Sequence, residues 1–242
     1  MGVTGGIGRQ LARQIGPRLA NQVAPKVAPK LSELAPGLSS SFVREALHRA
    51  IDGVGPLTPA VKVAEKALAA NDGQVGKSVH DVVDHHTRFA GAQGFLTNIG
   101  GLVTMAVTLP ANLTGLAVLQ CRMVAAVAHL RGYDLTDPRT HNAILVAILG
   151  EETVADLVKQ RTIPAPPMAL ATAPVHDQTI DAAISSAVAT HLVTRVAGRR
   201  MASTVGRRVP VVGGLVGLGA DGYATWKIGN YADREFLPRA AR

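Results

Sequence analysis

Aromatic side chains are scarce in this chain: one Trp, three Tyr and four Phe in 242 residues. So few rings cannot build the aromatic girdles that flank a multi-span membrane domain. They also leave the arginines without interleaved stacking residues, which argues against nucleic acid as a partner. Cysteine is scarcer still. Cys121 stands alone, which excludes internal disulfides and cysteine-based zinc frameworks. In its apolar surroundings it reads as an inert core residue. No stretch alternates apolar and polar residues with a period of two, so no strands are expected. The first charged residue is Arg9 and no apolar core follows it. A signal peptide is therefore not expected, and the reading is a cytoplasmic one.

The longest absence is of charge. Phe89 to Cys121 is a run of 33 positions with no Asp, Glu, Lys or Arg. A membrane-spanning helix needs about 20 apolar residues, so the run is long enough in principle. Its interior argues against one smooth span. Pro110 divides it, Gly94, Gly100, Gly101 and Gly115 dilute it, and Gln93, Asn98, Asn112 and Gln120 are polar. Proline suits the first turn of a helix, so one helix is expected to end near Leu109 and another to begin at Pro110. Each arm is then only about 10–12 residues long, the length of a buried core helix or an interfacial hairpin. Both readings stand at this point.

What is present is apolar and unevenly basic. The chain is 47% hydrophobic, with a mean hydropathy of +0.20, supplied mostly by Ala, Val and Leu. Small side chains let helices approach closely. Residues 1–50 carry a net charge of +5, residues 51–190 carry −3 and residues 191–242 carry +6. Basic ends suit anionic lipid headgroups or an acidic partner. Residues 5–22 place Ile7, Leu11, Ile15 and Leu19 on one helical stripe, with Arg9 and Arg13 off it. Arg207 and Arg208 directly precede the Gly-rich apolar segment Val209 to Ala220. These four arginines are the expected headgroup contacts.

The rest reads as helices. They are expected over residues 39–51, from a Thr58 cap to Ala70, over 76–90, from Pro110 to Leu130 with a stop at Gly132, over Ile144 to Leu149, over Glu151 to Gln160, and from Asp177 to about Arg200. Residues 162–175, with four prolines and no charge, read as an irregular linker. A polar helix to about Leu237 follows the Gly-rich segment. The expected fold is all-α: a helical bundle with a central apolar helical hairpin and a Gly-rich C-terminal helical hairpin. Residues 1–75 form a basic, proline-containing N-terminal arm with helices, and residues 76–242 the main helical domain.

Motifs for chemistry are thin. Val3 to Arg9 resembles the glycine turn of a short-chain dehydrogenase, and Tyr223 and Lys227 have a matching Tyr-x-x-x-Lys spacing. That turn needs a preceding strand, and only two residues precede Val3. The dehydrogenase reading is therefore rejected. His80, Asp81, Asp84, His85 and His86 form the sharpest polar cluster. On a helix, His80, Asp84 and His85 can present imidazole and carboxylate ligands to a metal, with His129 or His141 as a further ligand. The bland reading is an exposed face with i,i+4 pairs. Arg122 and His129 interrupt the apolar helix 110–131, and a cation there needs a partner such as Asp81, Asp84 or Glu151. They read as a buried ion-pair site. No cofactor motif and no coherent set of catalytic residues is present.

Several segments resemble the EcsC family. They are Gly100-Gly101-Leu102 leading to Leu109-Pro110-Ala111-Asn112, then Gln120 to His129, Gly132-Tyr133-Asp134-Leu135 and Asp137-Pro138-Arg139. In the tail they are Val209 to Gly219 and Ile228 to Phe236. The resemblance covers roughly residues 76–240. It implies an α-helical, membrane-associated accessory protein of bacterial type, linked to an ABC transporter or to secretion, and it transfers no catalytic residue. Three functions follow as expectations. The first is a non-catalytic accessory or binding protein on an anionic membrane surface, peripheral to the inner face of the cell membrane. The second is a metal-dependent hydrolase using His80, Asp84 and His85. The third is a soluble structural protein that buries its hairpins in a homo-oligomer.

Overall fold

The computed structural model describes residues 40–99, 105–205 and 210–239, with side chains placed in 40–92, 115–194 and 219–239. Arg9, Arg13, Arg207 and Arg208 lie outside the described residues. The helices, in order, are α1 (Ser40–Asp52), α2 (Ala60–Ala70), α3 (Val75–Ile99), α4 (Met105–Leu130), α5 (Pro138–Ala147), α6 (Glu151–Lys159), α7 (Pro167–Ala171), α8 (Thr179–Val205) and α9 (Pro210–Glu235). Among the described residues there is no strand, only an isolated bridge between Val54 and Leu57. The all-α expectation is met.

Helix α4 is the axis of the core. From Leu116 to Ala128 every residue except Arg122 is buried. A helix apolar on all sides is a buried one. Its neighbours are α1, α2, α3, α5 and α9. Burial pushes the Cys121 thiol up to about 12, which leaves it protonated and unreactive. Gly132, at φ +85°, ends the helix as expected, and the Tyr133 amide donates back to the Ala128 carbonyl. Asp137 accepts from the Arg139 amide and starts α5, with Pro138 in its first turn.

Several boundaries differ from expectation. Helix α4 starts at Met105 and runs through Pro110. A proline six residues into a helix removes one N–H, the one that would meet Ala106, and the remaining bonds carry the helix on. Helix α3 continues to Ile99, so the break falls at 100–104, where Gly100 and Gly101 have low helix propensity. Pro59 rather than Thr58 is the N-cap of α2, with no side-chain cap. Residues 162–175 are not wholly irregular. They contain α7 and pin Ile163, Leu170 and Ala171 into the core. The Gly-rich segment and the polar tail are one helix, α9. The compact unit begins at Ser39, so α1 and α2 belong to the same packed body as the residues after 76.

A polar knot joins α1, α5 and α8. Arg44 donates to Ser185 Oγ at 2.8 Å, Asn142 Oδ1 at 3.0 Å and the Asp181 carbonyl at 2.9 Å. Asn142 donates to Asp181 Oδ1 at 2.8 Å, and His176 bonds the same oxygen at 3.0 Å. Partial burial pushes the Asp181 carboxyl up, but the bonds from Asn142 and His176 and the Arg44 charge outweigh it and hold it below the usual range. Arg44→Met is expected to cost about 2–3 kcal/mol, because it leaves buried Asn142 and Ser185 short of partners. Urea denaturation measures it. An unchanged midpoint would mean that the knot contributes nothing to stability.

Candidate functional site

Helices α3 and α9 pack along each other in opposite directions. A Cβ on Gly229 would lie 2.6 Å from a Val83 methyl, and one on Gly222 would lie 3.4 Å from the Thr87 carbonyl and 3.6 Å from Gly91 Cα. As α9 runs from 229 back to 222, α3 runs forward from 83 to 91. The Ile99 end of α3 and the Pro210 end of α9 therefore point the same way. Helix α4, which leads away from the 100–104 connection, starts at that same end.

Just below lies a polar layer. Gln120 donates to Thr225 Oγ1 at 3.0 Å, and both are buried. Arg122 Nε approaches His86 Nε2 at 3.3 Å. His86 Nδ1 lies 2.7 Å from the Val82 carbonyl, so Nδ1 carries the proton and donates. Nε2 is then a lone pair that accepts from Arg122, and the ring must be neutral. Burial, the largest cause, and the nearby Arg122 charge lower the His86 pKa to about 4, against the bond to Val82. Burial also lowers the Arg122 pKa.

Above this layer acids are few: α9 carries Asp221, buried one turn from Thr225. None occurs in 85–133 or in 182–220. The sequence of α8 beyond Thr194 carries Arg195, Arg199 and Arg200, and Arg207 and Arg208 fall between α8 and α9. At about 1.5 Å per residue, Phe89 to Ile99 is about 16 Å long and Pro210 to Gly222 about 20 Å. At this end of the bundle no charged residue occurs in α3 beyond Arg88, in α4 before Arg122 or in α9 before Asp221. Of the run Phe89 to Cys121, the part from Leu116 onward is core.

The other expected residues fall elsewhere. His80, Asp84 and His85 are exposed on α3. His80 Nδ1 donates to the Gly76 carbonyl at 2.8 Å rather than pairing with Asp84, and Asp81 accepts from Asn71. Among the described residues no group of three or more His, Cys, Asp or Glu is placed to hold a metal ion. The metal set is therefore not assembled, because one exposed helical face brings no further ligand to it. The Arg122 partner is His86, not the anticipated Asp81, Asp84 or Glu151. His129 sits half-buried in the last turn of α4.

Sequence reasoning missed one feature. Phe89, Tyr223 and Trp226 are 55%, 62% and 45% exposed. Tyr223 stacks on Trp226, with ring centroids 5.9 Å apart. Lys227 lies over the Tyr223 ring and donates to Glu152 at 2.8 Å. The Tyr-x-x-x-Lys spacing is thus one helical turn of surface contact. Tyr223, Trp226, Lys227, Glu152 and His191 line a cleft of about 370 Å3 beside the start of α6, and Phe89 is not among its walls. Only the i,i+3 spacing of Tyr223 and Trp226 hinted at the stack.

The described residues define an all-α bundle in which the ends of α3, α4 and α9 that lie together are uncharged. Among the described residues no helix is long and apolar enough to cross a membrane. The EcsC protein family profile matches residues 10–240, nearly the whole chain, and the protein belongs to that family. The match extends well before residue 76, where the recognisable segments begin. No curated protein and no solved structure matches the chain.

Proposed function

We propose that this EcsC-family protein is a non-catalytic accessory module that docks peripherally on an anionic membrane surface, at the inner face of the cell membrane. The observation that supports this reading is that the uncharged ends of α3, α4 and α9 lie at one end of the bundle, in a chain whose stretch 182–220 has no acid and five arginines in its sequence. Uncharged ends offer apolar surface to lipid, and the arginines offer cations to phosphate. Arg9 and Arg13 add to the same attraction from the basic N-terminal stretch. A transporter or secretion component in that membrane is the partner the family resemblance suggests.

Flotation of the untagged protein with anionic liposomes tests the reading. Each basic residue near an anionic surface contributes about 1 kcal/mol, so losing Arg207 and Arg208 to Glu should weaken low-salt binding roughly 30-fold or more. Binding that survives high salt would add an inserted apolar part to the electrostatic one. No flotation at either salt would sink the proposal, and a concentration-dependent oligomer would then account for the apolar arms.

A further inference from the structure

We propose that the cleft between α9 and the start of α6 binds a sugar. A pyranose ring of the all-equatorial, glucose type lies flat on the Tyr223–Trp226 stack and hydrogen-bonds along its edge to the charged pairs at the rim. The site stands whether or not the chain docks on a membrane. Its base is a pair of rings that the packing leaves outside. Tyr223 and Trp226 are both exposed, lie 20° from parallel and sit one helical turn apart on α9. Large rings left in water, side by side, mark a surface with something to bind. Buried Leu149 and Ile228 floor the cleft beside them. Its volume, about 370 Å3, suits a small ligand and holds roughly one or two sugar rings.

The rim selects the chemistry of the ligand. Two carboxylates and two cations line the cleft, joined in pairs between α9 and α6. Lys227 donates to Glu152 at 2.8 Å, and Arg234 donates to Glu151. The Lys227 bond holds the Glu152 carboxyl below its ordinary range and raises Lys227 above its own, so both stay charged at neutral pH. No net charge is left to draw an ion. A nucleotide phosphate needs a free cation or an open helix start, and Glu151 and Glu152 already fill the first turn of α6. A ligand cation needs an open ring face, and Lys227 already lies over Tyr223. A lipid chain would leave the charges of the rim facing hydrocarbon. A sugar meets both the rings and the rim. Its axial C–H groups carry slight positive charge and match the negative face of an aromatic ring, and an all-equatorial ring offers the flattest such face. Each hydroxyl both donates and accepts, so it bridges a carboxylate and a cation that are already paired. Asn230 adds an acceptor, because its Nδ2 donates to the Trp226 carbonyl at 2.9 Å and leaves Oδ1 for the ligand.

Trp226 is the only tryptophan, so its emission reports the cleft alone. The full chain is titrated with methyl β-glucopyranoside and with cellobiose to about 100 mM, well above the millimolar Kd expected of so few contacting atoms. Choline and adenosine monophosphate serve as the cationic and nucleotide probes. Phosphatidylcholine vesicles with and without a glucosyl diacylglycerol separate a sugar in solution from one carried on a lipid headgroup. A saturable emission change with the free sugars supports the site, and one confined to the glycolipid vesicles supports it with the headgroup as the source. Tyr223→Ala should weaken binding about tenfold, with circular dichroism unchanged because the ring is exposed. No response to sugar in either form overturns the proposal. So does a response that Tyr223→Ala leaves intact, an equal response to vesicles without the glycolipid, or tighter binding of choline or adenosine monophosphate.

Discussion

Gly229→Ala is expected to destabilise the protein by about 1–3 kcal/mol, although alanine is the better helix former by about 1 kcal/mol. The reason is local. The added Cβ would meet both Val83 methyls, at 2.6 and 2.8 Å, and the Val83 Cβ at 3.2 Å. Valine is stiff at χ1, so it cannot swing clear, and the two helices must separate instead. Leucine at 229 should cost more than alanine. Gly219 on the same helix is the control, because a Cβ there meets nothing within 4 Å. Gly219→Ala should stabilise by about 1 kcal/mol through helix propensity. Thermal or urea denaturation of the pair decides the matter. Equal shifts of the same sign would show that the α3–α9 contact is not close-packed at 229.

Acid should weaken the fold well before its carboxylates titrate. In the folded protein His86 takes up a proton only near pH 4, whereas in the unfolded chain it does so near 6.5. Above pH 6.5 neither state is protonated there, and the contribution is fully present. As pH falls from 6.5 to 4 the unfolded chain gains a proton that the folded one refuses, so stability is lost. The loss is about 3 kcal/mol over that window. His141, whose pKa is lowered mainly by burial, acts in the same direction. His86→Gln keeps an acceptor for Arg122 and removes this titration, so the slope across the window should shrink to the part that His141 supplies. His86→Leu should instead lose stability at every pH, by leaving a half-buried guanidinium without its acceptor. A variant His86→Gln with an undiminished pH slope would place the titrating group elsewhere.

What the sequence disclosed follows the range of the forces involved. Gly132 and the Glu151–Gln160 helix were legible because caps and turns act within a few residues. The break at Pro110 was misplaced because a proline near a helix start costs one bond, while Gly100-Gly101 lies where α3 and α4 part. The metal reading of His80, Asp84 and His85 came from spacing alone, and spacing does not say which face of α3 meets the core. His86, their neighbour, is the member that faces inward. Its partner Arg122 is 36 positions away, and the Gln120–Thr225 pair spans 105. Pairings of that range are set by how the helices pack, which no local pattern encodes. Tyr223 and Trp226 were hidden for the opposite reason: rings in an apolar helix read as core until the packing leaves them outside.

The polar layer also bears on why the bundle adopts a single register. Its seams are made of Gly, Ala and Val, side chains so alike that one helix could slide a turn along another with little change in contact. Two hydrogen bonds at one height remove that freedom. A one-turn slip of α9 would carry Thr225 away from Gln120 and leave a buried amide unpaired, at a cost of about 1–3 kcal/mol. Groups that contribute little net stability thus select one alignment among many of similar apolar contact.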